Sequence, residues 1–100
     1  MLHLIARFRS KEENIKSVKS LIKDFLEKIM ENEPDTIYYE SIQLDDNVSF
    51  IHIITFRNEE AKKLHETSLY VAEFTKKVYP LLESEPIFNH YNIVSSIKRY

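Results

Sequence analysis

FIHIITF, residues 50–56, is apolar on both sides of an extended chain. Strand side chains alternate between faces, so Phe50, His52, Ile54 and Phe56 point one way, and Ile51, Ile53 and Thr55 the other. Upstream, residues 36–44 are rich in β-branched and aromatic types, as strands are. Asp45-Asp46-Asn47 separates the two strands, and residues that tolerate positive φ make it a hairpin turn. Residues 2–9 alternate too, with Leu2, Leu4, Ala6 and Phe8 opposite His3, Ile5 and Arg7. Ser10 followed by Glu13 has capping-box spacing, and a stripe from Ile15 to Met30 recurs at helical intervals. Glu33-Pro34-Asp35 ends that helix, because a residue before proline avoids the helical region. Downstream, Asn58 caps a second helix that bends near Ser68, continues through Val71, Phe74 and Val78, and finishes around Pro80. Residues 87–97 read as a last strand.

The order is β-α-β-β-α-β, a split βαβ arrangement. It predicts an α+β, ferredoxin-like fold: a four-stranded antiparallel sheet with both helices on one face. One domain, residues 1–100, accounts for the length. Two helices cover one face, so the apolar second face needs another cover, and a second copy of the chain provides it. A homodimer packed sheet to sheet is therefore expected.

Composition removes several function classes. Net charge is −2, with Lys and Arg interspersed among Asp and Glu, so no basic stripe exists to follow a nucleic acid backbone. No apolar run approaches the roughly 20 residues a membrane helix needs. The first residues lack a signal-peptide layout, which points to the cytoplasm. Cysteine is absent, which excludes disulfides and thiolate chemistry. Glycine is absent too, which excludes a P-loop and a G-x-G-x-x-G turn. The four histidines have no partners at convincing metal-ligand spacing.

Asn58-Glu59-Glu60-Ala61, His65, Ser68 and Phe74, following the apolar strand, resemble the central signature of the antibiotic biosynthesis monooxygenase family. LIARFRSKEE at the start, Tyr39-Glu40 after Glu33-Pro34, and LLESEP before the last strand agree, so the resemblance covers nearly the whole chain. It implies a dimeric α/β barrel of ferredoxin-like subunits. The departures are specific. The family's Trp is Phe56 here, its frequent Glu is Ile54, and the Pro and second His after Ser68 are Leu69 and Tyr70. Heme-degrading relatives use an Asn, a Trp and a His, whereas this chain has no Trp and has Arg7 at the aligned Asn position, which argues against heme.

The resemblance implies a cofactor-independent monooxygenase for a small aromatic, quinol or polyketide-like substrate, needing no heme, flavin or metal. Such a reaction needs a base near neutrality and a group that stabilises the resulting anion. An ordinary histidine titrates near 6.5 and arginine is a permanent cation. His65 is the expected base and Arg7 the expected anion partner, in a cleft walled by His52, Phe56, Tyr70 and Tyr39. This requires that His3, Ile5 and Arg7 share the helix side with His52 and Phe56. With the opposite facing, Leu4, Ala6 and Phe8 meet the helices, and Arg7 lies between sheets, available to Glu40 across the dimer. His65 also reads as a packed histidine that closes a helix against the sheet, and His52 as a core residue. A non-redox enzyme such as an isomerase, or a ligand-binding dimer, are the alternatives on this scaffold.

Overall fold

The computed structural model describes residues 1–99. Its elements are β1 (Leu2–Arg9), α1 (Ile15–Asn32), β2 (Thr36–Gln43), β3 (Ser49–Phe56), α2 (Glu59–Thr67), α3 (Leu69–Val78) and β4 (Ile87–Tyr91), with single 3₁₀ turns before α1 and after α3. The sheet order is β2-β3-β1-β4, and every neighbouring pair is antiparallel. The fold is the expected α+β ferredoxin-like one.

Turn chemistry explains the β2–β3 hairpin. Asn47 takes φ 68°, the left-handed region that asparagine tolerates better than most residues. The Asp46 carboxylate accepts bonds from the backbone N–H groups of Val48 and Ser49 and from the Ser49 hydroxyl. At the start of α2, the Asn58 side chain accepts from Ala61 N–H at 2.9 Å. The expected capping box at α1 does not form. Ser10 donates its hydroxyl to the Lys11 carbonyl, its backbone joins an isolated bridge to Leu82, and the chain makes a 3₁₀ turn before α1 begins. β4 is also shorter than expected. Its ladder with β1 runs from Ile87 to Tyr91, where β1 ends at its own first residues.

Register decides the two faces of the sheet. Leu4 pairs with Ile54, Ala6 with His52 and Phe8 with Phe50. Directly paired residues share a face, so Leu4, Ala6 and Phe8 lie with His52, Ile54 and Phe56. This is the helix side: Val18 and Ile22 of α1 and Val78 of α3 form one buried cluster with Phe50, against which Phe8 packs. Ile54, Phe56 and Ala61 form a second cluster with Leu2, Leu4 and Tyr39 packed on it. His3, Ile5 and Arg7 lie on the other face with Ile51, Ile53 and Thr55. Residues Ile5, Ile42, Ile51 and Ile53 there are only partly buried in the single chain.

Candidate active site

Between the helices and the inner sheet face lies a cavity of about 450 Å³. Its walls are largely apolar, from Leu4, Ala6, Phe8, Ile54 and Phe56 of the sheet and Phe25, Val71 and Phe74 of the helices. His65, His52 and Tyr39 interrupt that lining, and Lys62 and His90 join it 2.9 Å apart (Lys62 Nζ to His90 Nε2).

His65 reaches the wall from α2, one turn after Ala61, on the face that the Asn58 cap aligns with the sheet. Its side is fixed by aromatic rings: Phe56 at 5.4 Å, Phe25 at 5.8 Å and Tyr39 at 6.1 Å between centroids. Its Nδ1 lies 3.0 Å from both carboxylate oxygens of Glu33. Glu33 is 3% exposed and His65 9%. An ionised carboxylate only accepts, so Nδ1–H donates, and in the neutral ring the Nε2 lone pair is left free. Among the described residues, Nε2 has no hydrogen-bond partner.

Glu33 was not foreseen as part of the site. It closes α1 as the residue before Pro34, and its carboxylate also accepts from the Thr36 hydroxyl at 2.7 Å and from the Tyr70 hydroxyl. Burial pushes this carboxyl up, but the bonds from His65, Thr36 and Tyr70, with the nearby His65, outweigh burial and hold it below the usual range. A signal existed in the sequence. A glutamate at a helix C-terminus faces the negative end of the helix dipole, and such a placement calls for a compensating partner.

Of the residues expected to form the site, His65, His52, Phe56 and Tyr39 all line the cavity. Tyr70 does not: it stands behind His65 with its hydroxyl on Glu33, and burial and that bond push its pKa up to about 12. Arg7 does not either, which corrects the expected pairing with His65. It lies on the far side of the sheet, with a guanidinium nitrogen donating to Asn89 Oδ1 at 3.2 Å. The physical reason is register. The pairing of Leu4 with Ile54 sends the alternate residues Ile5 and Arg7 outward. Lys62 is then the Lys or Arg side chain among the lining residues.

His52 comes from β3, 2% exposed, with Tyr39 Oη 2.9 Å from its Nδ1 and Phe8 set edge-on at 5.0 Å. Burial lowers its pKa to about 4, so the ring is neutral at pH 7. Burial, and then the charge of Glu33, raise the Tyr39 phenol, which stays protonated.

The profile of the antibiotic biosynthesis monooxygenase family matches residues 1–77. The chain belongs to the antibiotic biosynthesis monooxygenase family. That match spans β1 through nearly all of α3, and so includes His65, Glu33 and most of the cavity wall. Solved structures share the fold at low identity. One antibiotic biosynthesis monooxygenase is similar with a TM-score of 0.85 and 20% identity, covering 95% of this chain and 100% of that one. A candidate member from Nitrosomonas europaea has a TM-score of 0.87 and 14% identity, over 95% of this chain and 100% of its own. Another from Caulobacter crescentus has 0.87 and 15%, over 94% and 90%. No curated protein matches at a significant level.

Proposed function

We propose that this chain is a cofactor-independent monooxygenase acting on a small aromatic or quinol-like compound in the cavity, and that it works as a homodimer. The observation that carries the reading is the His65–Glu33 pair, whose free imidazole nitrogen stands at the wall of a largely apolar cavity that Lys62 and Glu66 also line. His65 Nε2 takes a proton from an acidic position of the bound ring compound. The imidazolium that results is held by the Glu33 carboxylate, and the charge left on the compound is balanced by Lys62. This electron-rich anion passes an electron to dioxygen, and recombination forms a hydroperoxide. In an anthrone-type substrate the peroxide takes its proton back from the His65 imidazolium, and loss of water then leaves a new carbonyl: a ring CH₂ and O₂ become C=O and H₂O. One oxygen atom ends in the product and the other in water, so the substrate itself supplies the electrons.

The dimer half of the reading rests on the outer face, where Ile5, Ile42, Ile51 and Ile53 are only partly buried around Arg7. Covering that face with a second copy removes apolar area from water at roughly 25 cal/mol per Å². No described helix is long and apolar enough to cross a membrane, so a membrane helix does not compete for this surface.

A second reading has an observation in its favour. Glu33 accepts bonds from residues of β2, α2 and α3 while closing α1, so the same group clamps four elements together. On that reading the cavity binds a ligand without turning it over. Oxygen uptake with a panel of quinols and anthrones separates the two: saturable, enzyme-dependent uptake supports oxidation, and none at any concentration supports binding alone.

A further inference from the structure

Lys62 and His90 meet from opposite sides of the cavity. Lys62 stands on α2 three residues before His65, so the two share a helix face. His90 comes from β4, where pairing with Leu4 turns its side chain to the inner sheet face. Both line the cavity, Lys62 half-buried and His90 exposed, and Nζ of one lies 2.9 Å from Nε2 of the other. An ammonium only donates, so His90 Nε2 accepts and the ring proton sits on Nδ1. The contact runs from the helix wall to the sheet wall, within reach of water and ligand alike.

This contact leaves a charge uncancelled. Among the described residues no carboxylate pairs with Lys62: the ion pairs join Arg9 to Glu83, Arg57 to Asp35 and His65 to Glu33. Glu66, one turn further along α2, lines the same cavity at the spacing of an ordinary helix pair, yet it makes no ion pair. His90 holds the ammonium toward β4 instead, as a neutral acceptor. A free lysine gives up rotamer freedom when it binds an anion, and one already tethered gives up less.

We propose that the rim between α2 and β4 is an oxyanion site: the cavity takes ring compounds with a charged oxygen on Lys62 and the ring against Phe25, Phe56 and Phe74. His90 is a positioning residue that acts through Lys62. The inference rests on the ligand occupying the cavity, as in the reading above, and deepens it by naming the ligand class. An enolate formed when His65 takes a proton carries its charge on oxygen. An aromatic carboxylate offers the same charge on oxygen without any reaction.

1-Naphthoate and 1-naphthamide test it, since they share a ring system and nearly a shape but differ in charge. Their dissociation constants are measured by NMR titration near neutral pH. The wild-type protein should prefer naphthoate about tenfold, the scale of one hydrogen bond to a charged group. Lys62→Met should bring the two probes within about twofold of each other. His90→Leu should lose most of the preference, and His90→Gln, whose amide oxygen accepts from Lys62, should keep most of it. A wild-type protein without the preference, a Lys62→Met that retains it, or a His90→Leu with the full wild-type preference overturns the proposal. So does the failure of both probes to bind at millimolar concentration. Should a variant fail to fold, the wild-type protein decides: the Lys62 ε-¹³C resonance should shift with naphthoate and not with naphthamide, and an unmoved resonance at saturation overturns the proposal. Binding of these probes needs no turnover. Naphthoate held through Lys62 by a protein that consumes no oxygen would sink the oxidation reading and leave this one standing.

Discussion

Glu33 and His65 are 32 residues apart in sequence, yet both carboxylate oxygens of one stand 3.0 Å from Nδ1 of the other. The pair joins the end of α1 to the last turn of α2 and leaves one imidazole nitrogen free at the cavity. A buried carboxylate in this position orients the ring and stabilises its protonated form, the division of labour seen wherever a histidine base is backed by an acid.

Acid sensitivity should follow from two groups, in two windows. His52 titrates near 6.5 when unfolded and at about 4 in the fold, so its contribution to stability is complete above pH 6.5 and drains as pH falls toward 4. The loss is on the order of 3 kcal/mol. Glu33 is lowered from 4.5, so its contribution is complete above that value and is lost at still lower pH, as the folded carboxyl takes its proton. Thermal melts from pH 7 to pH 3 should show both declines. His52→Asn should flatten the upper window and leave the lower one, and equal slopes in both proteins would contradict the assignment.

Tyr70→Phe removes one of the three side-chain donors to Glu33 without altering the cavity wall. The expected cost is about 1 kcal/mol of stability, measured by denaturant unfolding, together with a rise in the Glu33 pKa. An unchanged pKa, read from the Glu33 carboxyl carbon by NMR, would mean that the Tyr70 hydroxyl is not bonded to it.

Much of this arrangement was legible before the structure. The β-α-β-β-α-β order predicted the four-stranded antiparallel ferredoxin-like sheet, and Asn58 was legible as the cap that starts the second helix. Side-chain alternation alone could not say which half of β1 shares a face with His52. That depends on the β1–β3 register, which is set between strands rather than within one, and it sent Arg7 to the outer face. The sequence marks Glu33 only as a helix terminator before Pro34, because its three donors come from residues distant along the chain or beyond the turn. Tyr70 follows the same logic: its place is behind His65, a depth that helical spacing does not encode.

The outer face should hold the dimer. Sedimentation at micromolar concentration is expected to show two chains per particle, and Ile53→Asp, which sets a charge at the centre of that face, should give monomers. Monomeric wild-type protein would contradict the sheet-to-sheet assembly.

Arg7→Ala offers a contrast between the two faces. Arg7 is bonded to Asn89 on the outer face, away from the cavity. The variant should weaken the dimer, seen as a raised dissociation constant by sedimentation, while the affinity of the cavity for a ring compound changes less than about twofold. A large loss of cavity affinity with an intact dimer would return Arg7 to the site.

The most direct test of His65 as the proton acceptor is oxygen uptake by His65→Gln beside the wild-type protein, using the best substrate from the quinol and anthrone panel. Glutamine keeps an N–H for Glu33, so the buried carboxylate stays bonded, but it cannot act as a base. The account predicts a fall in rate of about 100-fold or more with a melting temperature within a few degrees of wild type. A variant that consumes oxygen at the wild-type rate, or one that loses roughly 2 kcal/mol or more of stability while keeping its rate, would contradict it.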